Sequence, residues 1–366
     1  MESMLLFLFS SLDIFFFFIL FELLLIPMFL LIGKYGSKEK RKEAAYRLIG
    51  VSIMGSLLML ISIIIIYIKF GSTNNEIIML KLNSLNYNFY FLSLLWLSLF
   101  FSFAIKVPMF PFHTWLPFVH VEAPTIGSML LAGIMLKLGT YGIIRYTILG
   151  DINEYFLPII IIMTILSIVY GSLTTIRQID LKKIIAYSSI VHMNYAILGY
   201  YTNEIEGLSG GNYLMISHAF VSCGLFLLIG IIYKRYHSRV LLYYSGLVLT
   251  MPIYATFFIL FTLANVSLPL TSSFISEILI IISTFKINLF VASLISLSLI
   301  FSTSFGICLS NILLFGDFSR YIEKSIDMTK TEIIAAMPLI IITIFLGINT
   351  NLLLSLYTLP VTILIF

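Results

Sequence analysis

Charge is what this sequence has least of: Asp, Glu, Lys and Arg make up 10% of its 366 residues, against roughly 25% in a soluble domain. With 60% of residues hydrophobic, a water-soluble globule is excluded. The formal charge of +4 is small and its basic residues are dispersed, which argues against a nucleic-acid partner. Cysteine is nearly absent, and Cys223 and Cys308 both fall inside apolar runs, so neither a disulfide framework nor a metal cluster is on offer. Phosphate-cradling loops are missing too, because Gly210-Gly211 has no Lys-Ser/Thr behind it. Any redox or nucleotide chemistry must therefore sit on another chain. The N-terminus shows neither an Arg-rich transit segment nor a short signal core, so the first apolar span is expected to stay in the mature protein.

What is present is a series of apolar runs, each long enough to cross a bilayer. The pattern predicts an all-α polytopic membrane protein with about ten transmembrane helices, at 12–32, 49–68, 92–117, 124–147, 157–176, 182–201, 211–233, 250–284, 287–315 and 333–357. Charge sorts the connections. Those at 33–47 (Lys34, Lys38, Lys40, Arg41, Lys42, Arg47), 177–183 (Arg177, Lys182, Lys183) and 234–239 (Lys234, Arg235, Arg239) are basic, whereas 148–156 and 202–208 carry Asp151, Glu154, Glu204 and Glu206. Along an alternating path the basic connections share one side and the acidic ones the other, as the positive-inside rule requires.

Two spans contain proline at a depth where an unbroken helix is expected, in Lys106-Val107-Pro108-Met109-Phe110-Pro111 and in Val266-Ser267-Leu268-Pro269-Leu270-Thr271-Ser272-Ser273. Proline removes a backbone donor and clashes with the preceding turn, so both helices should be interrupted. The two lie five spans apart and run in opposite directions, which suggests an inverted repeat around a transport site. The expected division is a first repeat at 12–147, a second at 157–315 and a C-terminal helix at 333–357.

Four ionisable side chains lie at membrane depth: Glu22, Lys106, Lys137 and Glu277. Each costs about 2.5–3.5 kcal/mol on insertion scales unless paired or watered. Snorkelling to an interface or a static buried ion pair are the plain structural explanations. His192 and His218 sit mid-span, with Ser188, Ser189 and Tyr195, and Ser222, at helical spacing to satisfy their rings. They are either contented interior histidines or members of a proton relay. His113 and His120 flank the first break with no clear preference between the two roles, and His237 reads as surface. A string of titratable groups without metal-ligand spacing suits protons better than an organic substrate. The cycle would start from Glu22 paired with Lys106, pass through Lys137 and the histidines, and end at Glu277.

The run KVPMFPFHTWLPFVHVEAPTIGSMLLAGIMLKLGTYGIIRY at 106–146 strongly resembles the chain 4 family of mitochondrial NADH–ubiquinone oxidoreductase, the respiratory proton pump complex I. So do RQIDLKKIIAYSSIVHM at 177–193, ISHAFVSCGLF at 216–226, YKRYHSRV at 233–240, LANVSLPLTSSFISEILI at 263–280 and FELLLIP at 21–27. The resemblance implies an antiporter-like fold of fourteen helices in two inverted units. It makes Glu22 and Lys106 a pair, Lys137 the central proton carrier, His192 and His218 relay groups, and Glu277 the terminal carboxylate. It also implies no cofactor on this chain, with NADH, flavin, iron–sulfur clusters and ubiquinone handled by other subunits. The implied setting is multi-pass in the mitochondrial inner membrane, among lipid and the membrane-arm subunits of the chain 2 and chain 5 type. A sodium–proton antiporter subunit and a non-pumping spacer are the rival readings, and the cost of four retained intramembrane charges argues against a spacer.

The family carries further helices ahead of its glutamate, where this sequence has 21 residues. Pairing the two repeats span by span leaves the first without its first helix. A lipid-facing Glu22 would be costly, so the sequence predicts a separate polypeptide that supplies at least that helix and, by the resemblance, the three before it.

Overall fold

Hydrocarbon offers no partners to backbone N–H and C=O groups, so a chain this apolar must satisfy them within helices. In a computed structural model, which describes residues 1–36, 40–84, 88–147, 152–323 and 325–357, the regular elements are all helices apart from two isolated β-bridges. Lys38 and Asp151 fall outside the described residues. Eight of the described helices are long and apolar enough to cross a membrane.

One compact unit comprises residues 1–127 and 136–160. It holds α1 (Glu2–Ser10), α2 (Ile14–Leu23), α3 (Leu25–Tyr35), α4 (Arg41–Phe70), α5 (Asn75–Ser84), α6 (Phe89–Lys106), α7 (Trp115–Glu122), α9 (Leu136–Tyr146) and the start of α10 (Ile152–Ile176). Asp13 caps α2: its carboxylate accepts from Phe15 N at 2.8 Å and from the Thr73 hydroxyl at 2.7 Å. Neither α1 nor α5 was anticipated, since both are too short to register as spans. Trp96 anchors α6 to α10, its indole stacked between Phe100 and Phe156 at 4.7 and 4.5 Å. Its N–H donates to Asn153 Oδ1 at 2.6 Å.

The other unit comprises residues 128–135 and 161–366. It holds the second half of α8 (Thr125–Leu130), a π-helical turn at Leu131–Met135, the rest of α10, α11 (Leu181–Tyr200), α12 (Ile205–Tyr236), α13 (Leu247–Thr250), α14 (Pro252–Asn265), α15 (Ser272–Ile287), α16 (Leu289–Leu314) and α17 (Lys330–Ile348). Bare glycine surfaces let these helices close up. A Cβ on Gly224 would fall 2.2 Å from the Phe261 ring, and one on Gly210 would fall 2.9 Å from Leu279 Cβ.

The sequence placed several charged residues in connections that the structure places in helix ends. Arg41, Lys42 and Arg47 belong to α4, Lys182 and Lys183 to α11, and Lys234 and Arg235 to α12. A helix satisfies its own backbone, so it continues past the hydrocarbon into the headgroup region. Four cross-links tie ends that an alternating path puts on one side: the bridges Asp13 to Asn74 and Asp180 to Val240, and the ion pairs of Arg235 with Glu332 and of Lys286 with Glu204 and Glu206.

Candidate proton-transfer site

Both proline-bearing spans are interrupted, and the structure shows what occupies the freed carbonyls. At the first break, Val107 N donates to Phe103 O at 2.9 Å and Met109 N to Ala104 O at 3.0 Å. The Ile105 carbonyl takes the indole N–H of Trp115 at 3.0 Å from beyond the break. At the second, Leu268 N donates to Leu263 O at 3.0 Å, and the Ser273 hydroxyl reaches back to Ala264 O at 2.5 Å. Ser267 and Leu270 hold φ of 61° and 79°, a region that non-glycine residues enter at a cost. In α17, Gly347 lets its helix run directly over this turn, because a Cβ there would fall 2.1 Å from Leu270 O.

An interruption creates helix ends inside the membrane, with partial negative charge at a C-terminus and partial positive charge at an N-terminus. Lys106 is the last residue of α6, and Glu277 lies in the second turn of α15. Each charge is thus placed at the end that favours it. Lys106 is 5% exposed, with its Nζ 4.4 Å from the centre of the Phe21 ring.

The Glu22 carboxyl turns inward, close enough to interact electrostatically with Lys106, and Ser56 of α4 also faces it. Among the described residues the two form no ion pair within 4.0 Å, so the direct pairing expected from sequence is replaced by a longer contact. The residues that α2 exposes are apolar, namely Phe15, Phe16, Ile19 and Leu23. Lys137 is buried on α9, just past the π-helical turn. Gly139 brings α9 against the first break, where a Cβ would meet Val107 Cγ2 at 2.5 Å and Lys106 Cβ at 3.1 Å.

In the other unit three candidates converge. His192 Nδ1 lies 3.1 Å from Glu277 Oε1, both side chains nearly inaccessible, at hydrogen-bond distance but without hydrogen-bond alignment. The His192 and His218 rings are 5.5 Å apart, centroid to centroid. A cavity of about 10 Å³ adjoins them, lined by His192, His218, Asn265 and Ser273 among others. That is close to the roughly 10–15 Å³ a single water needs. The hydroxyls expected to satisfy the imidazoles do otherwise: Ser188 and Ser189 donate to Ile185 O, Ser222 to His218 O and Tyr195 to Ile295 O. A hydroxyl inside a helix finds the carbonyl one turn back before it finds another side chain.

Sequence reasoning passed over Glu122, which is 4% exposed with Oε2 unbonded at the end of α7, and Asn265. The signal for Glu122 was a carboxylate just ahead of Ala123-Pro124, which stop the helix. Asn265 had no signal beyond its place before the second break. His237 is exposed, as expected.

A family profile described as NADH:quinone oxidoreductase/Mrp antiporter, TM, matches residues 11–306. NADH-ubiquinone oxidoreductase chain 4 of Marchantia polymorpha is 46% identical over 350 residues, 95% of this chain and 70% of that protein. The chain 4 protein of Arabidopsis thaliana is 42% identical, covering 95% of this chain and 70% of its own length. Among solved structures, a chain of respiratory complex I from Thermus thermophilus superposes with a TM-score of 0.91 at 26% identity, over 100% of this chain and 78% of that one. A chain of the Mrp complex from Dietzia shares the fold, with a TM-score of 0.87 at 20% identity over 96% of this chain and 74% of its own. The chain belongs to the NADH:quinone oxidoreductase/Mrp antiporter family of membrane subunits.

Proposed function

We infer that this chain is a proton-translocating membrane subunit of a respiratory NADH:ubiquinone oxidoreductase, acting in the mitochondrial inner membrane beside membrane-arm subunits of the chain 2 and chain 5 type. NADH, flavin, iron–sulfur and ubiquinone chemistry belongs to other subunits of the assembly. The observation that carries this reading is the placement of buried ionisable groups at two helix breaks, with family membership over residues 11–306 behind it.

The residues divide into an acceptor set and a delivery set. Lys106, at the α6 C-terminus beside the Phe21 face and the Glu22 carboxyl, passes its proton on when the Glu22 contact lengthens. Lys137 takes up that proton. His192 and His218 pass it on through alternate ring nitrogens and the adjoining water-sized space, and Glu277 receives it from His192. The two repeats at 12–147 and 157–315, each with one interrupted helix, would provide the opposed half-paths.

The test is proton yield per NADH in vesicles containing the assembled complex. Glu22→Gln, Lys106→Met and Glu277→Gln are each expected to assemble and to lower that yield. A normal yield in all three would sink this reading and leave the non-pumping spacer.

A further inference from the structure

The ring centroids of His192 and His218 stand 5.5 Å apart with their planes tilted by 46°, and among the described residues no hydrogen bond joins them. Two hydrogen bonds through one water molecule span roughly 5 Å, so a bridge fits where a direct bond does not form. The cavity of about 10 Å³ is lined by both rings. Leu214, Val221 and Ala264 give it apolar walls, and only Ser273 and Asn265 add polar groups. The Ser273 hydroxyl spends its one proton on Ala264 O at 2.5 Å, so toward the cavity it can only accept. Asn265 is 7% exposed, and among the described residues its amide makes no hydrogen bond. A buried amide without a partner is costly, so Asn265 calls for a polar occupant in the cavity it lines.

The second break sets the place of this amide, because Asn265 is the last residue of α14. Bare glycine surfaces clamp that helix end from two sides. Phe261, one turn back, rests on Gly224 of α12, and Val266 rests on Gly306 of α16, where a Cβ would fall 2.2 Å from Val266 Cγ2. An amide carries two N–H donors and a carbonyl acceptor and changes charge at no accessible pH. It therefore orients a partner without taking or giving a proton.

We propose that Asn265 is a positioning residue for proton transfer, its amide holding one water molecule between His192 and His218 in the orientation that bridges the rings. This rests on the proton-translocating reading above. In the step, the imidazolium of His218 gives its N–H proton to the water oxygen while a water O–H proton passes to the neutral ring of His192. His218 ends neutral, His192 ends as the cation beside Glu277, and the water is regenerated. Asn265 Nδ2 donates to the second lone pair of that water, and Ser273 Oγ accepts its second O–H. Four polar partners thus fix the water, within the range that buried waters make.

Vesicles of the assembled complex carrying Asn265→Val or Asn265→Thr are compared with the parent and with Glu277→Gln. The two Asn265 variants share a shape and differ in one hydroxyl, so a packing role moves them together and a water-holding role separates them. Proton translocation in Asn265→Val is expected to slow on the order of ten-fold, short of the full contribution of a proton-transferring group because both histidines remain. Asn265→Thr should stay near the parental rate. Equal slowing of the two variants overturns the proposal. A parental rate in Asn265→Val beside an impaired Glu277→Gln also overturns it and leaves the proton reading standing, whereas parental rates in both overturn both. Where the valine variant does not assemble, a map of the parent complex that resolves ordered water decides. A water bonded to Asn265 and to both imidazoles supports the proposal, and a dry cavity refutes it.

Discussion

His192 Nδ1 approaches Glu277 Oε1 to 3.1 Å, joining α11 to α15 at the depth of the second break. Neither atom has a hydrogen-bond partner, so a small rotation of either side chain makes or breaks the contact. His192→Ala should therefore leave Glu277 without its partner and lower the stability of the chain by about 3–5 kcal/mol if the carboxylate stays charged. Glu277→Gln keeps the shape and should cost about 1–3 kcal/mol. A double-variant cycle read by thermal melting of the purified complex checks the coupling, and strictly additive effects would show that the contact carries no energy.

Lys106 relies on Phe21 as well as Glu22. Phe21→Leu preserves much of the apolar volume but removes a desolvated cation–π contact worth about 2 kcal/mol. Coupled NADH oxidation should slow, though less than in Glu22→Gln. Equal activity in Phe21→Leu and parent would show that the ring is packing alone.

At Lys137, the substitutions to alanine and arginine separate charge from proton exchange. Arginine keeps the cation but does not release its proton at accessible pH. Both variants should lose proton translocation, and full pumping by Lys137→Arg would mean that the position needs only a charge.

Each break has a donor that spans it. Trp115→Phe removes the hydrogen bond to Ile105 O, and Ser273→Ala removes that to Ala264 O. Trp115→Phe leaves a buried carbonyl unsatisfied and should lower stability by about 1–3 kcal/mol, whereas the Ala264 carbonyl keeps Ser267 N at 3.2 Å, so Ser273→Ala should cost about 0.5–1.5 kcal/mol. Proteolysis of detergent-solubilised complex should then cut more readily at the corresponding break, and unchanged digestion patterns would count against this role.

Much of this architecture is legible in the residues alone. Spans follow from apolar length and both interruptions from proline, because each rests on a property local to one stretch of chain. The choice of Glu22, Lys106, Lys137 and Glu277 is equally local, since a charge inside an apolar run is costly wherever its partner lies. The same locality explains the misses. Ten apolar runs were visible, but α1 and α5 fall below the length that hydropathy detects. The basic residues of α4 looked like a loop because charge marks the water boundary and not the end of a helix.

What the tertiary structure decided is partnership. Sequence spacing offered Ser188, Ser189 and Tyr195 to His192, yet its close neighbour is Glu277, brought in by the packing of α11, α12 and α15 on glycine surfaces. Sequence made Glu22 and Lys106 a direct pair, yet the fold sets the Phe21 ring beneath the ammonium. Trp115 and Ser273 became the supports of the two breaks, and Glu122 became a buried carboxylate, through contacts no periodicity encodes. The physical reason is that desolvation is a property of a residue and its immediate run, readable one stretch at a time. A hydrogen bond or ion contact is a property of two atoms, and residues far apart in the chain acquire it only when helix packing fixes their distance.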